Sequence, residues 1–102
     1  MWQVVRKQTR PNTGVNFFLS EQHTSPETLQ YMYGTYVETG KQLMMTKEVS
    51  TDQLTLTVTQ IWSSAEDYLE CKNDPISVTM KETFDGYIQA NNIIFELTES
   101  EI

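Results

Sequence analysis

The sequence predicts one α+β domain over residues 1–102, in which helices cover one face of an antiparallel β-sheet. Three observations support this. Residues 54–62 alternate apolar and polar side chains, which is the period of a half-buried strand. Pro26 and Pro75 each follow a polar capping residue and precede apolar side chains at helical spacing, as at the start of a helix. A length of 102 residues suits one domain with a modest core.

The first half of the chain is predicted to contain a strand, a turn and a helix. Residues 2–9 form the strand, and Pro and Gly at 10–14 interrupt it. A short extended piece at 15–19 and a polar loop at 20–24 lead to a helix that starts at Pro26. The helix ends at Gly40, in the left-handed position. Its predicted apolar stripe consists of Leu29, Met32, Tyr33, Tyr36 and Val37.

The second half is predicted to contain a hairpin, two helical segments and a closing strand. Strands at 41–49 and 54–62 flank a turn at 50–52. The helical segments are 64–72 and 75–90, separated by Asn73 and Asp74. A strand at 93–97 closes the domain, and 100–102 are a tail. The apolar stripe of the last helix consists of Ile76, Met80, Phe84, Tyr87 and Ile88.

The resulting order β, α, β, β, α, β is the ferredoxin-like arrangement, an antiparallel sheet with two helices on one face. The other face then carries several apolar side chains: Val5, Met44 or Met45, Ile61, and Ile94 or Phe95. A surface of that size and character is too apolar to stay in water. A homodimer that packs two such sheets face to face is therefore predicted.

Charge and composition exclude several classes of protein. The net charge is −7, and the first 51 residues carry five basic and four acidic side chains, whereas the last 51 carry two and ten. This balance argues against nucleic-acid binding, which needs clustered cations. The acidic half is interpreted as a solvated helix face, with DNA mimicry or docking of a basic partner as alternatives. No membrane span and no signal-peptide pattern occurs, so a cytoplasmic protein is expected.

Few residues suit metal or nucleophilic chemistry. Cys71 is the only cysteine and His23 the only histidine, so neither a disulfide nor a zinc site is predicted. Cys71 is expected on the packed side of a helix and His23 in a solvated loop. Gly-rich phosphate loops, CxxC pairs and Ser/His/Asp arrangements are absent. Nucleotide chemistry and metal-dependent hydrolysis are therefore not expected.

Residues 61–68 (Ile-Trp-Ser-Ser-Ala-Glu-Asp-Tyr), the helix break at 74–76 and the final strand resemble the dimeric α+β barrel superfamily, nearest the antibiotic biosynthesis monooxygenase family. The resemblance implies a homodimeric barrel with a small pocket between sheet and helices. Some members oxidise aromatic polyketides without metal or flavin, and others degrade haem. Where the haem-degrading branch has an axial His, this chain has Met80, and that branch's Asn on the first strand has no counterpart. No cofactor, and no haem, is therefore expected.

The candidate ligand pocket lies between the sheet and the helical stripes. Gln60 interrupts an apolar strand face, and a buried amide must be hydrogen-bonded to a neighbour or to a ligand. At most one of Arg6 and Lys7 can point inward. The pocket candidates are Trp62, Gln60, Tyr33, Tyr36, Tyr68, Met80, Phe84, Tyr87 and Arg6. The predicted function is binding of a small apolar or aromatic molecule, with the cofactor-independent oxygenation that the resemblance implies. The alternatives are a packed core at the same residues and a non-catalytic binding or protein-interaction module.

Overall fold

A computed structural model describes residues 1–102 as a four-stranded antiparallel sheet with helices on one face. The elements are β1 (Trp2–Thr9), a 3₁₀ turn (Ser20–Gln22), α1 (Pro26–Met32) continuing into a π-helical turn (Tyr33–Val37), β2 (Gln42–Val49), β3 (Thr55–Trp62), α2 (Ala65–Lys72), α3 (Pro75–Ala90) and β4 (Ile94–Glu101). The strand order in the sheet is β2-β3-β1-β4. The predicted α+β, ferredoxin-like fold is confirmed. None of the helices has both the length and the apolar character needed to cross a bilayer.

The helix starts are fixed by side chains that satisfy free backbone N–H groups. Ser25 Oγ accepts from the Thr28 N–H at 3.1 Å, and Ser64 Oγ accepts from the Asp67 N–H at 3.1 Å. Asp74 Oδ1 accepts from the Ile76 N–H at 2.9 Å. These caps explain why three helices begin where the sequence predicts them.

The strand register divides the sheet into two chemically different faces. Trp2 lies opposite Trp62 and Val4 opposite Gln60, and directly paired residues share a face. The inner face, which the helices cover, carries Trp2, Val4, Arg6 and Gln8 of β1, Leu56, Val58, Gln60 and Trp62 of β3, Met45 of β2, and Phe95, Leu97 and Glu99 of β4. Arg6 therefore points inward and Lys7 outward.

The opposite, open face of the sheet mixes apolar and polar side chains. Val5, Met44, Ile61 and Ile94 lie on it, as predicted for a face without helices. Around them are threonines and a few charged groups: Thr9, Thr46, Thr55, Thr57, Thr59, Thr98, Lys7, Glu48 and Glu96. The face is thus less uniformly apolar than the sequence suggested, and Lys7 places a charge on one of its two central strands.

Three predicted boundaries are wrong. The first helix is α-helical only to Met32 and then widens into the π-helical turn. Residues 15–19 form no strand, and β4 continues to Glu101 instead of ending in a tail. The polar residues 98–101 have no strand signal in the sequence, but they form a strand because pairing with β1 satisfies the β4 backbone along one edge.

Residues 15–19 lie outside the sheet, and a side chain of β1 supplies the backbone hydrogen bonds of Phe18 among them. The Gln8 amide donates from Nε2 to the Phe18 carbonyl at 2.9 Å, and its Oε1 accepts from the Phe18 N–H at 2.8 Å. Both groups are buried. This pair of bonds fixes the loop over one end of the inner face.

Gln8→Leu should destabilise the protein by about 2–4 kcal/mol, because two buried backbone groups of Phe18 lose their partners. Urea unfolding followed by far-ultraviolet circular dichroism measures the change. Gln89→Leu, at an exposed position of α3, is the matched control and should change stability by less than about 0.5 kcal/mol. Equal unfolding midpoints for the two variants would contradict this account of the loop.

Candidate functional site

Trp62 is the centre of the packing between sheet and helices. It is 2% exposed and lies between Tyr36 of the π-helical turn and Tyr68 of α2. Both ring pairs are edge-to-face, with centroids 6.3 Å and 5.6 Å from Trp62. Val4 completes the buried group. The space next to Trp62 is thus occupied by side chains of the chain itself.

A polar network lies against this aromatic group. Arg6 donates from Nη1 to Gln60 Oε1 at 2.6 Å and from Nη2 to the Tyr68 hydroxyl at 3.3 Å. The Trp62 indole N–H also points to Gln60 Oε1, at 3.4 Å. We call these four residues the Arg6 network. It shows why β3 tolerates an amide among apolar residues: the Gln60 oxygen accepts from two inward-facing donors.

Asp74 ties the helices together. Its Oδ2 accepts from the Tyr36 hydroxyl at 2.6 Å and from the Tyr31 hydroxyl at 3.0 Å, while Oδ1 caps α3. Residues five apart lie about 140° apart around an α-helix. The π-helical turn, with its Glu38 N–H to Tyr33 carbonyl bond, widens the helix so that both hydroxyls reach one carboxylate.

Tyr31 was absent from the predicted apolar stripe, because that stripe assumed 3.6 residues per turn throughout. The sequence does contain one indication of its role, the five-residue spacing between Tyr31 and Tyr36. That spacing indicates a shared partner only when the π-helical turn and the position of Asp74 are known. Conversely, Tyr33, which the stripe included, is 55% exposed.

The ionisable groups of this interior are not arranged as proton acceptors. Burial and the bond to Asp74 raise the pKa of Tyr36, and burial raises the pKa of Tyr68 and of Cys71. The Tyr36 hydrogen bond holds the pKa of Asp74 below its ordinary value. At neutral pH the tyrosines and the thiol are therefore neutral, and the carboxylate is ionised but already occupied by its donors.

Two clefts open on the helical side of the sheet. One, of about 230 Å³, lies between the π-helical turn and β2 and is mostly apolar; we call it the π-turn cleft. Its walls include Met32, Tyr33, Tyr36, Val37, Met45 and Cys71. The other, of about 320 Å³, lies between α1 and α3 and is lined by His23, four threonines and Met80 among others.

The structure separates the predicted pocket residues into four places. Trp62, Gln60, Tyr68 and Arg6 form the network and its packing. Tyr33 and Tyr36 border the π-turn cleft, and Met80 borders the cleft between α1 and α3. Phe84 packs edge-to-face on Phe18 and Phe95, with centroids 5.2 Å and 4.8 Å away, and Tyr87 donates to the Asn16 carbonyl. One pocket containing all nine side chains is therefore not what the structure shows.

The physical reason is the route of α3. Its stripe packs on β4 and on the loop at Phe18, whereas α2 and the π-helical turn cover Trp62. His23, predicted to be a solvated loop residue, is exposed but also stacks on Phe18 with ring centroids 4.2 Å apart. No group of three His, Cys, Asp or Glu side chains is placed to hold a metal ion.

Comparison with known proteins bears on the fold. No protein-family model and no curated protein matches the chain. Among solved structures, the monooxygenase from the gene ActVA-Orf6 of Streptomyces coelicolor, in complex with Nanaomycin D, has a TM-score of 0.69 at 13% identity, covering 99% of this chain and 86% of that one. SnoaB, a cofactor-independent oxygenase from Streptomyces nogalater, has a TM-score of 0.61 at 8% identity, covering 99% and 91%.

A dimeric ferredoxin-like protein from an uncultured marine organism has a TM-score of 0.56 at 11% identity, covering 98% of this chain and 91% of that one. These matches extend over nearly the whole chain. The predicted resemblance to the antibiotic biosynthesis monooxygenase-like proteins is thereby confirmed at the level of the fold.

Tyr36→Phe should destabilise the protein at pH 7 by about 1.5–3 kcal/mol, because Asp74 loses a hydrogen bond to its charged form. A carboxyl with a lowered folded-state pKa stabilises the fold above its unfolded pKa, near 3.8, and loses that contribution as the pH falls through the folded value. The difference between parent and variant should therefore shrink below about pH 4. Tyr33→Phe is the control with an exposed hydroxyl. A difference in unfolding free energy that stays constant from pH 7 to pH 3 would contradict the role of Asp74.

Proposed function

We propose that this chain is a homodimeric protein that binds a small apolar or aromatic molecule in the π-turn cleft and oxidises it with O₂, without metal or flavin. The supporting observation is the cleft itself, an apolar space with tyrosine walls next to the Arg6 network. The two are in contact at Met45, a cleft residue whose sulfur lies 4.0 Å from Gln60 Nε2. The fold agrees with the proposal, since SnoaB is described as a cofactor-independent oxygenase and the ActVA-Orf6 monooxygenase holds a ligand.

The dimension and lining of the π-turn cleft limit its ligand. A volume of about 230 Å³ is below the range typical of sites for drug-sized molecules, so the ligand can have at most about three fused rings. Tyr33 and Tyr36 offer ring faces, and Met32 and Met45 are flexible enough to adjust to different outlines. An apolar, planar molecule fits these walls best.

The homodimer is proposed from the open face of the sheet. Its two central strands, β1 and β3, place Val5, Thr57 and Thr59 near its middle, and Lys7, opposite Thr57, is the charged side chain among them. Glu96 of β4 lies directly opposite Lys7, so a charge of the other sign is next to it. A second copy related by a two-fold axis would bury the apolar side chains of this face, of which Met44 is 49% and Ile94 63% exposed in the single chain. The cytoplasm is the proposed location, in keeping with the free thiol of Cys71.

The proposed reaction has to draw all its electrons from the substrate. In the step R₂CH₂ + O₂ → R₂C=O + H₂O, two C–H bonds break, one oxygen atom forms the ketone and the other leaves as water. No side chain at the cleft is poised as a base, because Tyr36 donates to Asp74 and the pKa of Cys71 is raised by burial. The substrate must therefore be a compound acidic enough to ionise near neutral pH by itself.

A non-catalytic binding module is the second candidate function. The observation that favours it is the tight packing of Trp62 and Tyr68, each 2% exposed, which leaves the Arg6 network little room for a reacting molecule. In this case the π-turn cleft would bind a ligand without catalysing a reaction, or the acidic surface of α2 and α3 would bind a protein partner.

Anthrone, a tricyclic compound with an acidic methylene group, tests the proposal. Anthrone should raise the melting temperature of the protein. At pH 7 the protein should also accelerate the consumption of O₂ by anthrone above the rate without protein, with one anthraquinone formed per O₂. Val37→Trp, which fills the cleft, should abolish both effects. Val78→Trp, at an exposed position of α3 outside the cleft, should leave them unchanged.

A thermal shift without O₂ consumption would support the non-catalytic module instead. If neither a thermal shift nor O₂ consumption occurs, or if Val37→Trp behaves like Val78→Trp, the assignment of the cleft is wrong.

A further inference from the structure

The cleft between α1 and α3 is formed without any residue of the sheet. Its volume of about 320 Å³ lies at the lower end of the range typical of small-molecule sites. Four threonines line it from two sides: Thr24 and Thr28 come from the residues around the start of α1, and Thr79 and Thr83 come from α3. We call it the threonine cleft. It is separate from the packing around Trp62, since no residue belongs to both.

The two threonines of α3 are not explained by the formation of the helix. Thr79 and Thr83 are four residues apart, which places them on one helix face, one turn from each other. Both are exposed, so neither contributes to the packed core. Thr is also a poorer helix former than Ala, because its branched side chain loses rotamer freedom there. What these residues do provide is two hydroxyl groups on the wall of the cleft.

The hydroxyls of the threonine cleft keep most of their hydrogen-bonding capacity. Of the four, Thr28 and Thr83 each have one side-chain hydrogen bond within the chain. Thr28 Oγ1 accepts from Ser25 Oγ at 2.9 Å and keeps its own hydrogen to donate. Thr83 Oγ1 donates to the Thr79 carbonyl at 3.4 Å and keeps its lone pairs to accept. The hydroxyls of Thr24 and Thr79 can both donate and accept, so the cleft offers both kinds of group.

His23 adds an imidazole whose position is fixed by aromatic packing. The ring stacks on the buried Phe18, with centroids 4.2 Å apart, and meets Tyr87 edge-to-face at 5.5 Å. The hydrogen bond that His23 forms is from its backbone N–H, to the Ser20 carbonyl at 3.0 Å. Both ring nitrogens are therefore free, and in a neutral imidazole one donates and the other accepts. Because packing already orients the ring, a ligand that bonds to it costs little side-chain entropy.

The lining of the threonine cleft contains no charged side chain. The charged residues in the middle of α3 lie outside it, and two of them, Lys81 and Asp85, bond to each other at 2.7 Å. An anionic ligand would thus find no cation in this cleft, and a cationic ligand would find no carboxylate. The half-buried Ile76 and Met80 give the cleft an apolar part.

We propose that the threonine cleft binds a small uncharged polyol, a molecule of about the size of one sugar ring. Each hydroxyl of such a ligand both donates and accepts, as the threonines and His23 require, and its C–H groups can pack on Ile76 and Met80. A purely apolar molecule would displace water from the hydroxyls without replacing its hydrogen bonds. The proposal does not depend on the oxygenase function, because the π-turn cleft and the threonine cleft share no lining residue.

Titration of the isotope-labelled full chain with myo-inositol and with methyl glucoside, followed by amide chemical shifts, tests the proposal. At least one of the two polyols should bind saturably, in the millimolar range, with the largest shifts at residues 23–28 and 75–83. Cyclohexanol, a ring of similar size with one hydroxyl, should bind at least about tenfold more weakly, because it forms fewer hydrogen bonds. Glucuronate, which carries a negative charge, should bind more weakly than methyl glucoside.

Three results would overturn the proposal. The first is the lack of saturable shifts with both polyols, the second is equal affinity for cyclohexanol and the polyols, and the third is tighter binding of glucuronate than of methyl glucoside.

Variants then locate the site. Thr79→Val removes one exposed hydroxyl at nearly constant shape and should weaken polyol binding about threefold to tenfold. His23→Phe keeps an aromatic ring to stack on Phe18 but removes both nitrogens, and it should weaken binding to a similar extent. Thr51→Val, at an exposed turn outside the cleft, is the matched control, and it should bind the polyol normally, as should Val37→Trp. Unchanged affinity in Thr79→Val or His23→Phe, or weaker binding in Thr51→Val or Val37→Trp, would contradict the site.

Discussion

Helices cover only one face of the four-stranded sheet, and this one-sided cover determines where the other features of the molecule lie. The inner face has to accommodate large side chains, and β3 provides Trp62 at its end for that purpose. The open face cannot use large side chains in the same way, because no element of the same chain packs on it. Threonines, a few aliphatic residues and three charged side chains occupy it instead, and the exposed Met44 and Ile94 on it suit pairing with a second sheet.

On the inner side, packing and polar bonding depend on each other. Tyr36 and Tyr68 enclose Trp62 from two different helical elements, and each tyrosine carries its hydroxyl to a charged partner, Asp74 or Arg6. Buried hydroxyls without partners would destabilise the fold, so these two charges allow the aromatic packing. The two charges differ in their bonding: Asp74 accepts from two tyrosines and caps a helix, whereas Arg6 donates to Gln60 and Tyr68. Both have a structural role, since each gives a buried tyrosine hydroxyl its partner.

Local patterns predicted most of the fold, and long-range contacts account for what they missed. Period-two alternation at 54–62 and the polar caps at Ser25, Ser64 and Asp74 are readable in sequence because each acts within a few residues. The π-helical turn depends on Asp74, which lies 38 residues beyond Tyr36, and the end of β4 depends on its register with β1. For the site, the sequence correctly indicated that the Gln60 amide needs a partner and that one of Arg6 and Lys7 faces inward. It could not show that α3 carries Phe84 away from Trp62, since both stripes have the same helical spacing.

The proposed homodimer depends on one structural constraint: the single chain leaves one side of its sheet without a cover. Sedimentation equilibrium of the unmodified protein at micromolar concentration tests this most directly. A mass close to twice 11.8 kDa is expected, and Thr59→Arg, which places a charge in the middle of the open face, should return the mass to that of one chain. A mass of 11.8 kDa for the unmodified protein at that concentration would contradict the account.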